Sequence, residues 1–138
     1  DIYRIPASQI NNIKKGASWT DEEGREVPDT RLTTPADKPR SYAYCSDTCY
    51  LPDLAARVSG VSCLYHESTY ATPDIEKAQK YFHTTAAQAA QVARDAQVGR
   101  LLLGHYSSKY DNEDVLLEEA RQVFEASELS NEGMVVTL

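Results

Sequence analysis

At 138 residues the chain is one ordinary domain or a piece of a larger one, and its 41% hydrophobic and 25% charged content excludes a disordered tail. No apolar run approaches the roughly 20 residues that cross a bilayer, and no signal-peptide pattern is present, so no membrane partner is expected. A net charge of −7 argues against holding nucleic acid by broad phosphate neutralisation, but not against local binding of one phosphate.

The chain opens Asp1-Ile2-Tyr3 and its only methionine is Met134, so it is expected to be part of a longer gene product. Residues 1–40 read as an irregular connecting segment. Ser8 is placed to cap a short helix with Ile10 and Ile13 on its apolar edge and Gly16 at its end. Asp21-Glu22-Glu23-Gly24 reads as a turn, and Pro28, Pro35 and Pro39 punctuate the rest. Residues 41–138 read as an α/β core. A strand over 41–47 ends at Ser46-Asp47-Thr48, and a short helix follows from Asp53 to Val58. The run Val61 to Tyr65 predicts a second strand ending in His66-Glu67, and Pro73-Asp74 opens a helix through Lys80.

Thr84 to Gln97 is the strongest helix signal. Thr85 and Gln88 have the capping-box spacing, and Ala86, Ala89, Ala90 and Ala93 make a small-residue face. Arg100 to Gly104 predicts a buried strand ending at His105. Asn112 is placed to cap a helix from Glu113 to Ala126 with Val115, Leu116, Ala120, Val123 and Phe124 on one side. Met134 to Leu138 predicts a last strand. Strands alternating with helices indicate layered α/β packing with parallel pairing, where function gathers beyond the carboxyl ends of the strands.

Asp47, His66 and His105 fall at such ends, and His83 sits before the alanine-rich helix. Singly, each has a bland reading as turn former, rim residue or cap. Together they suit metal-assisted attack on a phosphate ester, because carboxylate and neutral imidazole bind zinc or manganese and two adjacent ions can activate water. His66 and Glu67 point to opposite faces if they lie in a strand, so a loop is needed for both to serve one site. The amides at the start of the Thr84 helix offer an anion site, and Lys109 offers a positive charge. Cys45, Cys49 and Cys63 are odd in number without a repeated spacing; they read as structural cysteines in a reducing, cytoplasmic setting.

Four pieces carry a family resemblance: Tyr44-Cys45-Ser46-Asp47-Thr48, His66-Glu67-Ser68-Thr69, His83-Thr84-Thr85-Ala86-Ala87-Gln88-Ala89-Ala90, and His105-Tyr106-Ser107-Ser108-Lys109-Tyr110. In order and spacing they resemble the C-terminal half of the ribonuclease Z family, the tRNA 3′-processing endonucleases of the metallo-β-lactamase superfamily. The resemblance implies half of an αββα sandwich, with the whole chain as the C-terminal portion of that single domain. It implies Asp47 as a carboxylate bridging two zinc ions and His105 as a ligand of one, with manganese a possible substitute. It implies His66, beside Glu67, as the histidine assisting the scissile phosphate and leaving group, and His83 as part of a catalytic His-Ser-Thr element. Thr84, Thr85, Ser107, Ser108 and Lys109 then line the substrate phosphate, with lysine where arginine is common.

The family's His-x-His-x-Asp-His motif is absent, since no two histidines are closer than the 17 positions between His66 and His83. Only two metal ligands, Asp47 and His105, are therefore expected, and the chain alone is expected to be inactive. The implied whole is a zinc-dependent endoribonuclease removing the 3′ trailer from precursor tRNA, a cytoplasmic homodimer by resemblance. Another phosphodiesterase or hydrolase of the superfamily, or a non-catalytic interaction module on the same scaffold, stays open.

Overall fold

The N-terminal segment forms more structure than its proline-punctuated sequence suggests. In the computed structural model, which describes residues 3–138, helix α1 spans Ala7–Ile13. Asp1 and Ile2, where the expected connecting segment begins, lie outside the described residues. Pro6, not Ser8, is the N-cap, because its fixed φ already feeds the helix. Of the expected apolar edge only Ile13 is buried. Strands β1 (Trp19–Thr20) and β2 (Glu26–Val27) pair antiparallel around the predicted turn. Asp21 holds that turn by accepting the Glu23 and Arg25 amides, each at 2.9 Å, on Oδ1. Helix α2, Asp29–Leu32, completes this unit, which ends at Pro39.

The second compact unit, Arg40–Leu138, is built on four parallel strands: β3 (Tyr42–Cys45), β4 (Cys63–Glu67), β5 (Leu101–Gly104) and β6 (Ser127–Leu129), in the order β3-β4-β5-β6. Parallel neighbours need long crossovers. These carry α3 (Leu54–Arg57), a 3₁₀ turn (Thr72–Asp74) leading into α4 (Ile75–Tyr81), α5 (Ala86–Asp95) and α6 (Asp114–Val123). The register pairs Cys45 with His66, His66 with Leu103, Glu67 with Gly104 and Leu103 with Leu129. The carboxyl ends of β3, β4 and β5 are thus level.

Alternation along the strands divides the residues between two faces. Ala43, Cys45, Leu64, Leu101 and Leu103 join a core with Val58, Leu116 and the alanines of α5. Ala86, Ala89, Ala90 and Ala93 are all fully buried, as the small-residue face predicts. Thr85 and Gln88 form the predicted capping box. On the other face Tyr44 stacks on Tyr65 with ring centroids 4.6 Å apart, yet Tyr42 and Tyr44 stay 48% and 63% exposed. Parallel sheets are normally covered on both faces, so two exposed tyrosines mid-strand fit half of a sandwich.

The C-terminal region departs from several expectations. Met134–Leu138 is not a strand: Met134 and Val135 are exposed, and the Arg100 guanidinium donates to the Thr137 carbonyl at 2.6 Å. The edge strand is Ser127–Leu129, whose weak sequence signal is offset by a buried Ser127 hydroxyl donating to the Phe124 carbonyl at 2.5 Å. In α6, Leu116 and Ala120 are buried, but Val115 points outward, 46% exposed. The Asn112 side chain accepts the Asp114 amide at 2.8 Å, but the N-cap of α6 is Glu113 and the helix ends at Val123, short of the expected Ala126.

Candidate active site

The site begins where β3 and β5 end. Asp47, two residues past β3, has φ +43°, and His105, immediately past β5, has φ +56°. Left-handed backbone is uncommon outside glycine, although Asp and His tolerate it better than most, and it clusters at functional sites. Here it turns both side chains back over the strand ends, with His105 Nε2 3.1 Å from Asp47 Oδ1. Phe82 (φ +60°) turns the chain sharply out of α4, and the His83 amide returns to the Ala78 carbonyl at 2.8 Å. That turn stacks the His83 ring on His105, centroids 5.2 Å apart and planes 28° from parallel.

Beneath these groups lies Glu67, with no solvent exposure. β4 runs two residues further than the apolar run suggests, so Glu67 is delivered by the strand itself, not by a reorienting loop. Its Oε1 accepts the Thr48 amide at 3.1 Å and His83 Nδ1 at 2.9 Å. Its Oε2 accepts the Thr69 amide at 3.0 Å and the Thr69 hydroxyl at 2.8 Å. Thr69 Oγ1 also lies 2.9 Å from His105 Nδ1 and 3.2 Å from His83 Nδ1. One carboxylate thereby joins the chain beside Asp47 to both site histidines.

Among the described residues, Asp47, His83 and His105 form a group whose ligand atoms all lie within 4.8 Å of one another. His83, not expected among the ligands, thus stands within ligand distance of Asp47 and His105. The donor set fits a metal. Tetrahedral bonds of 2.0–2.1 Å put neighbouring ligand atoms about 3.3 Å apart, close to the observed His105–Asp47 separation. No cysteine belongs to the group; Cys45 and Cys63 are free, and burial pushes both thiols up, away from the thiolate that binds metal.

His66 does not join this cluster. It is 1% exposed on the opposite face of β4 from Glu67, and its Nδ1 bonds the Glu67 carbonyl at 2.7 Å. His83, not His66, is the histidine on the Glu67 carboxylate. Burial pushes the His66 pKa below its ordinary 6.5 despite the carbonyl bond that opposes it. The unfolded chain therefore binds this proton more readily than the fold does. The contribution to stability is complete above about pH 6.5 and is lost as pH falls from there toward the lowered folded value. His66→Gln is expected to flatten that decline, which reaches at most about 1.4 kcal/mol per pH unit, in urea titrations between pH 5 and 7.

The expected phosphate ligands are mostly committed elsewhere. Thr84 is buried and donates to the Thr48 carbonyl at 2.5 Å, and Thr85 is buried as the α5 cap. The first α5 amides are filled. Thr85 and Gln88 cap each other, the Ala86 amide goes to the Tyr70 carbonyl at 2.9 Å, and the Ala87 amide to the Glu119 carboxylate at 3.2 Å. An acidic side chain from α6, favoured there by the helix dipole, thus occupies the anticipated anion site. Lys109 is bound by Asp74, whose pKa its hydrogen bond, with help from Tyr110 and Lys77, lowers to about 2. Ser107 accepts the Lys109 amide at 3.3 Å, and Ser108 stands exposed. The residue the sequence reading left without a role is Thr69; its signal was the two-residue spacing from Glu67, which puts both on one face of an extended chain.

A family model described as a β-lactamase superfamily domain matches residues 19–106. Ribonuclease Z of Bacteroides fragilis is 44% identical over 138 residues, all of this chain and 45% of that protein. Ribonuclease Z of Parabacteroides distasonis is 45% identical over 134 residues, 97% of this chain and 44% of its own length. The chain therefore spans less than half the length of these curated relatives. Among solved structures, the metallo-β-lactamase-fold protein YhfI of Bacillus subtilis superposes with a TM-score of 0.65 at 22% identity, over 72% of this chain and 40% of that one. The short form of human tRNase Z gives 0.52 at 20% identity, over 87% and 36%. Both likenesses bear on the fold alone.

Proposed function

Because the chain belongs to the β-lactamase superfamily, we propose that it is the C-terminal part of a metal-dependent endoribonuclease that cleaves the 3′ trailer from tRNA precursors. The observation that carries this reading is the joint one: a Glu67–His83 pair stands beside an Asp47–His105 pair 3.1 Å apart, on a chain 44% identical to a ribonuclease Z throughout its length.

Asp47 and His105 would hold the metal, zinc by their donor types or manganese, with the remaining ligands of a two-ion site coming from sequence this chain does not span. A bound metal of this kind supplies Lewis acidity and a water ionised near neutral pH. His83 carries a proton on Nδ1, where Glu67 holds and orients it, and presents Nε2 to the site. That is the arrangement of a general acid–base imidazole with its orienting carboxylate. His83 is thus assigned the leaving-group role that the family resemblance gave to His66. Ser107 and Ser108 keep a place at the rim as polar contacts for phosphate. Lys109 serves there only if substrate displaces Asp74.

At a net charge of −7, tRNA affinity must reside largely outside this chain. A cytoplasmic setting draws support from three free cysteines, and no helix among the described residues is long and apolar enough to cross a membrane. Homodimerisation rests on the resemblance. In the test, purified full-length protein is stripped with chelator, reloaded with zinc or manganese, and given a precursor tRNA under single-turnover conditions. Metal-dependent cleavage at the start of the trailer is expected. An intact precursor beside rapid hydrolysis of a small aryl phosphodiester would transfer the protein to the rival small-substrate reading.

A further inference from the structure

We infer that Thr69 is a positioning residue that fixes the tautomer of His105, so that the single buried carboxylate of Glu67 sets the proton positions of both site histidines. The inference rests on the site reading above for its consequence, but on geometry alone for its content.

A threonine hydroxyl has one proton to give and two lone pairs. Thr69 Oγ1 lies 2.8 Å from Glu67 Oε2 and 2.9 Å from His105 Nδ1, and Thr69 is only 5% exposed. The carboxylate can only accept, so the hydroxyl proton goes to Oε2. Were it turned to His105 instead, two oxygen acceptors would face each other at 2.8 Å in a buried setting, with one acceptor left unpaired. Toward His105 the hydroxyl therefore accepts, and His105 must carry its proton on Nδ1. The second lone pair is partly shared with His83 Nδ1, which lies 3.2 Å away while donating chiefly to Glu67 Oε1 at 2.9 Å.

In the neutral ring Nε2 of His105 is then a bare lone pair, 3.1 Å from Asp47 Oδ1. Two acceptors at that separation repel unless a cation stands between them, which is how a metal edge is prepared in advance of its ion. Free imidazole divides between two tautomers, and a ligand histidine needs the correct one. Groups that orient a ligand in this way are typically worth 10–100-fold in metal affinity.

The test reads tautomers directly. Full-length protein with ¹⁵N-labelled histidine is stripped of metal and studied by long-range ¹H–¹⁵N correlation at a pH where the ring is neutral, with His105 assigned by its loss in His105→Gln. The expected wild-type spectrum shows protonated Nδ1 and bare Nε2. Thr69→Val, similar in shape but without the hydroxyl, should give averaged tautomers and zinc binding 10–100-fold weaker by titration calorimetry. Thr69→Ser should restore both. A wild-type His105 protonated on Nε2 overturns the inference whatever the variants do. So does a Thr69→Val spectrum unchanged from wild type, or a Thr69→Ser protein that folds yet loses the tautomer. If instead the tautomers behave as expected but wild-type protein binds no zinc, the positioning role stands and the metal reading falls.

Discussion

Glu67→Gln is expected to cost about 3 kcal/mol or more of folding stability, far beyond an ordinary charge-neutral substitution. Four donors converge on this carboxylate: the Thr48 amide, His83 Nδ1, the Thr69 amide and the Thr69 hydroxyl. Glutamine offers one oxygen with two lone pairs and turns two donors of its own toward the others. The Thr69 hydroxyl can rotate to accept, which releases it from orienting His105. At least one of the remaining donors is still left unpaired at about 1–3 kcal/mol, and the charge-assisted bonds that survive are weakened by roughly half. Urea unfolding of the metal-free protein measures the loss without contribution from metal binding. Exposed Glu118→Gln, expected within about 0.5 kcal/mol of wild type, is the control. If the two variants unfold at the same urea concentration, the four-donor geometry is not what holds this corner together.

What the sequence makes legible follows the range of the interactions. Capping of α5 by Thr85 and Gln88 spans three residues and is readable as a pattern. So are the alanine face, the three strands that deliver the site, and the convergence of Asp47 with His105, because level strand ends follow from parallel pairing. Partner choice across the fold is not readable in this way. Whether Glu67 turns to His66 or to His83 depends on where β4 ends, and an apolar run ending at Tyr65 hides the last two strand residues. That Lys109 meets Asp74 across 35 positions, and that Glu119 reaches the Ala87 amide across 32, depends on how α6 and the His105 loop pack. A lysine in a motif therefore looked free for phosphate, and helix amides looked open, because their partners lie a helix away. The edge strand at Ser127 escaped for a related reason. Its pairing is with Leu101–Leu103 and its own residues carry little β signal, whereas the apolar Met134–Leu138 carries the signal without a neighbour to pair with.

Asp47→Ala and His105→Ala in the full-length protein are expected to empty or nearly empty at least one metal position and to reduce single-turnover cleavage by two orders of magnitude or more. His66→Ala is expected to keep its metal. The reasoning is geometric. Asp47 and His105 are 64% and 42% exposed at their side chains and 3.1 Å apart, open to an ion and separated as two ligands of one ion are. His66 is buried on the other face of β4 with its Nδ1 on a main-chain carbonyl, so its loss leaves a cavity and an unpaired acceptor but no missing ligand. Its effect should appear as about 2–4 kcal/mol of stability, with cleavage near normal below the unfolding temperature. His83→Ala should differ from both. As the imidazole on Glu67, it should lose about 10²–10⁴-fold in the cleavage step, mostly in kcat. Its metal loss should be smaller than that of Asp47→Ala. Metal analysis of the four purified variants, run beside single-turnover cleavage and urea unfolding, separates the roles. A His66→Ala protein that folds normally but cannot cleave would return the leaving-group role to His66. A His83→Ala protein as empty of metal as Asp47→Ala would make His83 a ligand first.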